Sequence, residues 1–362
     1  QYKDAILFYK KALNIYQSMR PAPYKDVVNV YRNIGLYLRR TGQLSRSEYY
    51  QKRAVELADK GLPAGHIEKV KAYNSFAILL LTKGDYKQSL EYLEKALAIS
   101  QSMHYDEVGN QFNNIGIVHE QLGQYKKAFD DYQGALHFNR EKYGLFAEET
   151  ANNYFNLGTV SSNMRQLDAA IAYFDTTRLI YDSIVQPGDM DFARLYNNIG
   201  ATFNYKGDFK KAVDYLEMAL KIFEKHPGSG DSEMANTYAN TGLLLLDRGD
   251  FDTALAYFLR AYSIRRRVFG PQHHLVARSC NYIGNALLEK KDFDGAYEWL
   301  NRALHTYQLL QGYDPNEKAE LLTDIGAYFE KIGNYKNALQ YYQESLQLLS
   351  AGTSPPPTKL MP

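Results

Sequence analysis

The chain of 362 residues has one cysteine, one tryptophan, 11 prolines and almost no net charge, with 42 Lys+Arg against 41 Asp+Glu. One cysteine excludes an internal disulfide framework and a cysteine-based zinc site; it fits a reducing compartment, and the expected location is cytoplasmic. A charge this close to zero gives no general attraction to nucleic acid or to an anionic membrane. Apolar runs such as Ala77 to Leu81 and Gly242 to Leu246 are short, far below the ~20 residues that span a bilayer. No HExxH, P-loop, GxGxxG or Ser/His/Asp order occurs, and carboxylates do not recur in pairs. No catalytic function, metal or cofactor is expected. The chain opens on Gln1 inside a helical pattern, without Met or a signal-peptide layout, and reads as a fragment or processed form.

What is abundant is tyrosine, with 32 residues, and a repeat distributes it. The string Asn-Ile-Gly and its variants anchor at Gly35, Ala77, Gly116, Gly158, Gly200, Gly242, Gly284 and Gly326, spaced by 42 residues except for one step of 39. A partial copy leads, with Tyr2, Ala5, Tyr9, Ala12 and Leu13. Seven residues past the anchor stands a glycine, replaced by Arg165 and Lys291 in two copies, then an apolar slot such as Tyr86 or Phe209, then two small slots such as Ala212 and Ala219. Tyr196, Ile199, Gly200 and Phe203 run i, i+3, i+4, i+7 before the turn, and Ala212, Tyr215, Leu216 and Ala219 do so after it. Each unit is therefore two helices around a tight turn, and stacking is needed to bury its apolar face. The prolines agree: Pro21, Pro23, Pro63, Pro187, Pro227, Pro271 and Pro315 fall between units, and Pro355, Pro356, Pro357 and Pro362 in the tail. Residues 1–349 are read as one all-α solenoid of about eight full repeats plus a partial first one. Residues 350–362 are read as an extended Pro-rich tail or linker.

Tyr196, Ile199, Gly200, Gly207, Phe209, Ala212, Leu216 and Ala219 resemble the tetratricopeptide repeat, and the resemblance covers about residues 1–350. The usual unit has 34 residues; the 42-residue form resembles the kinesin-light-chain type, with Arg265 to Ala277 closest to its style of link. The resemblance implies a right-handed superhelical solenoid whose first helices line an inner groove. Departures are Ala77, Leu44, Thr177 and the 39-residue step, which predicts shifted stacking around residues 100–108.

Asparagine is concentrated on the first helices. Positions six, three and two before the anchor hold 13 of the 23 asparagines, although Asn is a mediocre residue inside a helix. The candidates for contact with a peptide or partner helix are Asn29, Asn33, Asn74, Asn110, Asn114, Asn152, Asn156, Asn198, Asn236 and Asn240. The resemblance puts Asn33, Asn114, Asn156, Asn198 and Asn240 in the peptide-contacting role, while Ser75, Tyr282 and Asp324 interrupt the column. A carboxamide donates and accepts, which suits a peptide backbone; the other reading is that these residues bridge neighbouring helices. Arg32, Arg39, Arg40 and Lys71, with Arg194 further on, are candidates to read an acidic ligand segment or to be solvated charges. The Lys/Asn set that clamps chaperone tails is not matched. His273, His274 and the Arg265–Arg267 run read as solvated, and Cys280 as a packing residue in a tyrosine slot. The function expected is a non-catalytic interaction scaffold, with no nucleic acid or membrane as partner; the alternative is the sensing arm of a larger bacterial effector with a CHAT peptidase, histidine kinase or DNA-binding output domain.

Overall fold

The computed structural model describes residues 2–19, 21, 23–186, 188–310 and 315–353, and every regular element among them is an α-helix. Contacts gather into two units, Gln1–Val185 and Gln186–Pro362. In the first, α1 (Tyr2–Ser18) precedes four pairs: α2 (Tyr24–Arg40) with α3 (Leu44–Gly61), α4 (Ile67–Lys83) with α5 (Tyr86–Ser102), α6 (Val108–Gln121) with α7 (Tyr125–Tyr143), and α8 (Glu148–Asn163) with α9 (Leu167–Ile184). The second holds α10 (Met190–Lys206) with α11 (Phe209–Phe223), α12 (Asp231–Asp247) with α13 (Phe251–Phe269), α14 (His274–Glu289) with α15 (Phe293–Leu309), and α16 (Pro315–Lys331) with α17 (Tyr335–Thr353). The expected solenoid of helix pairs is the fold. Helix α17 includes Ser350–Thr353, which sequence reading gave to the tail: no proline intervenes before Pro355. The rest of the expected tail, 354–362, and Pro187 lie outside the described residues.

The turn inside each pair is built as its sequence requires. Gly42, Gly84, Gly123, Gly207, Gly249 and Gly333 take φ between +69° and +81°, where a Cβ is penalised. Arg165 and Lys291 adopt the same left-handed conformation at φ +62°, so the turn is imposed by the pair that flanks it and not by glycine alone. After the turn, Asp85, Asp208, Asp250 and Asp292 cap the second helix by accepting from the N–H three residues on, at 3.0–3.3 Å.

The small anchor lets the two helices close on each other. A Cβ placed on Gly116, Gly158 or Gly242 would stand 2.5–2.6 Å from the rings of Tyr132, Phe174 and Phe258, each fully buried. Where the anchor is Ala77, the facing residue is the smaller Leu93. Beside this contact a tyrosine four residues before the anchor meets another on the second helix. The pairs Tyr31–Tyr50, Tyr73–Tyr92, Tyr154–Tyr173, Tyr196–Tyr215 and Tyr238–Tyr257 have ring centroids 5.7–6.3 Å apart. Much of the tyrosine excess is this one packing element copied five times. The 39-residue step acts locally: α6 has 14 residues where other first helices have 16 or 17, and His104 in the link before it takes φ +52°.

Candidate functional site

Within each unit consecutive first helices touch, α2 with α4 and α4 with α6, then α10 with α12, α12 with α14 and α14 with α16. The asparagine positions lie along this stack. In the first unit Asn33 Nδ2 donates to Asn29 Oδ1 at 2.6 Å and to the Tyr9 hydroxyl at 3.3 Å. The 2.6 Å bond places positions six and two before the anchor on one helical face. Asn156 Nδ2 donates to Asn113 Oδ1 across neighbouring repeats at 2.7 Å. Asn152 is exposed and its Oδ1 accepts from the Tyr181 hydroxyl at 3.4 Å. Asn74 is half-buried and its Oδ1 has no partner among the described residues. Asn110 (exposed) and Asn114 (half-buried) have no side-chain hydrogen bond among the described residues.

In the second unit Asn198 Nδ2 turns back to the Arg194 carbonyl at 2.9 Å, and exposed Asn236 accepts from Arg265 Nη2 at 2.9 Å. Exposed Asn240 has no side-chain hydrogen bond among the described residues. Position three before the anchor again bridges: Asn197 accepts from Thr237 at 2.9 Å, and Asn281 donates to Asp324 at 2.7 Å. Asn285 adds a second bond to Asp324 at 2.9 Å. Burial holds the Asp324 carboxyl above the usual carboxylate range, against the opposing pull of Asn285 and Asn281. A raised folded pKa means that the folded state holds its proton more tightly. The stability this group supplies is full below the ordinary value and is lost as pH rises through the raised one. Asp324→Asn is therefore expected to flatten the decline of stability from mildly acidic to neutral pH. Urea midpoints of both proteins across that range measure it; parallel curves would contradict it.

The candidate cations are mostly engaged. Arg32 and Lys71 flank buried Glu68 at 4.0 and 3.2 Å. Arg194 pairs with Asp191 at 3.0 Å and with Glu233 at 3.6 Å. Arg39 is half-buried, its Nε has no partner among the described residues, and burial, with Arg40 beside it, lowers its pKa. The Arg265–Arg267 run is not uniformly solvated as expected. Arg265 is 4% exposed and donates to Ser279 Oγ at 2.8 Å, burial lowering its pKa to about 10, while Arg267 pairs with Asp231 at 2.8 Å. The two histidines, partly exposed, are also engaged. His273 caps α14 through Leu275 N–H and stacks on Phe269, and His274 Nδ1 lies 2.9 Å from Glu317. Cys280 packs in the core, burial pushing its thiol up to about 12. Among the described residues no group of three or more His, Cys, Asp or Glu could hold a metal, and no helix is long and apolar enough to cross a membrane.

Two features escaped the sequence reading. Buried His119 pairs through Nδ1 with Asp131, in slots where other repeats place Leu or Phe (Ser161 in one) and a tyrosine (Trp299 in one). Both departures fall in one repeat, which was the available signal. The second is a seam between successive repeats, where the residue 23 past one anchor meets the residue five before the next. Gln111 donates to Ser100 at 2.7 Å, Asn139 to Asn153 at 2.8 Å, and Arg265 to Ser279; Ala58 with Ala72, and Tyr307 with Leu321, share core clusters. Varied identities in one slot looked like noise to a search for repeated residues.

The tetratricopeptide repeat profile matches residues 26–102, 110–183, 160–225, 233–308 and 279–351. The clustered mitochondria protein homolog of Aspergillus fumigatus is 23% identical over 163 residues, 45% of this chain and 12% of that protein. Kinesin light chain-related 1 of Arabidopsis thaliana is 22% identical over 143 residues, 38% of this chain and 23% of that one. The matched stretch thus spans between an eighth and a quarter of these relatives' length. Among solved structures, the apo quorum sensor NprR of B. thuringiensis superposes with a TM-score of 0.70 at 15% identity, over 96% of this chain and 98% of that one. Rap complexed with Competence and Sporulation Factor gives 0.60 at 13%, over 97% and 98%. Fold, repeat length and profile agree that the chain belongs to the tetratricopeptide repeat family, in 42-residue units similar to those of kinesin light chains.

Proposed function

We propose that the chain is a non-catalytic interaction scaffold whose first-helix faces take an extended or helical peptide segment. The observation that carries this is the pair Asn110 and Asn114, one turn apart on α6 and without hydrogen-bond partners among the described residues, while the neighbouring Asn113 is spent on a bridge. A carboxamide pair at that spacing can hold a peptide N–H and C=O regardless of side-chain identity. Exposed Asn240 offers the same group in the second unit. Asn156, in the same slot as Asn114, belongs to the bridging role, so the two readings of the asparagine column divide residue by residue. Arg32 and Lys71 share the single carboxylate Glu68, which leaves the pair net positive and supports an acidic ligand segment near α2 and α4. A net charge of +1 favours protein over nucleic acid as partner. A fold shared with a protein solved in complex with Competence and Sporulation Factor is in keeping with this reading.

The test selects peptides from a random displayed library on the unmodified chain and measures them against Asn110→Ala/Asn114→Ala. Affinity is expected to fall at least tenfold, about 1.4 kcal/mol or more, with Tm nearly unchanged. Peptides that bind the variant equally well would remove the carboxamides from the role.

A further inference from the structure

On the second-helix side of the second unit, two cavities occupy equivalent places in successive repeats and differ in chemistry. The first, of about 300 Å³, lies between the end of α11, α12 and α13. There Glu224, 24 residues past its anchor, accepts from the Tyr238 hydroxyl and from Arg260 Nη1 at 3.4 Å, and Arg267 pairs with Asp231. Each cation in that cavity has its carboxylate within the lining. Asp59 and Tyr73 repeat the acid–tyrosine bond in the first unit.

The second cavity, of about 370 Å³, lies between the end of α13, α14 and α15. The position of Glu224 is taken by Arg266, that of Tyr238 by Cys280, that of Ser263 by His305, and Arg260 is matched by Arg302. The counter-ion has become a second guanidinium, and the ring that carried the bridging hydroxyl has become a small thiol. No carboxylate among the described residues lines this cavity. Arg302 bonds Glu298 one turn back on its own helix at 2.9 Å and lies over the Trp299 ring at 4.4 Å. Arg266 and His305 have no ion pair among the described residues and are exposed.

We propose that this cavity binds an oxyanion, a carboxylate or phosphate carried by a small molecule, which takes the place of the Glu224 carboxylate between Arg266 and Arg302. Two guanidiniums lining one cavity suit the planar or tetrahedral oxygens of such groups. Gln272 adds a hydrogen-bond donor at the wall, and Tyr262, Val276 and Leu309 receive the apolar part of the ligand. The site is separate from the first-helix face and does not depend on the reading given to it.

Trp299 is the only tryptophan, so its emission reports on the guanidinium stacked against it. The full chain is titrated with inorganic phosphate and with citrate at constant ionic strength set by chloride, reading emission and, independently, heat by calorimetry. One or both anions are expected to bind saturably where chloride does not; phosphate alone indicates a phosphoryl ligand and citrate a carboxylate one. Arg266→Glu, at an exposed position, puts a carboxylate where the neighbouring cavity has Glu224 and is expected to weaken binding at least tenfold while circular dichroism is unchanged. Arg267→Ala, in the neighbouring cavity, should bind as the parent does. Absence of saturable binding by either anion, or equal binding by Arg266→Glu, overturns the proposal.

Discussion

Phe174→Ala is expected to destabilise the first unit by about 3–5 kcal/mol, the cost of deleting a fully buried ring. The ring fills the space left by Gly158, whose added Cβ would meet it at 2.5 Å. Gly158→Ala alone sets two effects against each other. An interior alanine favours helix by about 1 kcal/mol, while overpacking against a ring that cannot move costs about 1–3 kcal/mol. Gly158→Ala combined with Phe174→Leu recreates the pair that Ala77 and Leu93 already form. The double variant should therefore lose less than the sum of Gly158→Ala and Phe174→Leu measured singly, by about 1 kcal/mol or more. Repeat arrays can unfold in parts, so hydrogen exchange in α8 and α9 should accompany the urea transitions. Simple additivity would show that anchor and ring do not share one space.

Asn139→Leu should cost about 2–4 kcal/mol, combining an unsatisfied buried amide with overpacking. Asn139 is 4% and Asn153 1% exposed, so Asn153 Oδ1 would lose its donor without gaining water. A Cβ on Gly109 would also meet Asn139 Oδ1 at 2.1 Å, which shows how closely α6 approaches the side chain. The changes Asn139→Ala and Asn153→Ala together reproduce the Ala58–Ala72 seam and should cost less than the two singles added. A double-variant penalty equal to the sum of the two single penalties, measured by urea unfolding, would show that the amide pair is not the coupled element.

The helix pairs, the turns and the tyrosine packing were legible because each depends on residues that recur at one spacing. Arg165 and Lys291 illustrate the strength of that signal: neither is glycine, yet register alone placed them at a turn where they take φ +62°. The roles of individual asparagines were not legible. Asn113 and Asn114 are adjacent and chemically identical, but only Asn113 faces Asn156 of the next repeat. Glu68 forms an i,i+3 pair with Lys71 that the spacing on α4 could have shown, but its place beneath Arg32 becomes visible only when α2 and α4 are side by side. His273 and His274 were misread because their partners, Phe269 and Glu317, lie across a link and in the next repeat.

The seam pairs bear on how such a gene can change length. Tandem units of equal size invite unequal crossing-over, which removes or duplicates whole copies. Loss of residues 266–307, one 42-residue period, would bring Arg265 opposite Leu321 and leave a guanidinium without the Ser279 hydroxyl it now uses. Loss of the copy between Ser100 and Asn153 would set a hydroxyl against a carboxamide, a pairing that can still form a hydrogen bond. Copy number should therefore drift near the Ser100 junction and stay fixed at the Arg265 junction, although the units on either side look interchangeable.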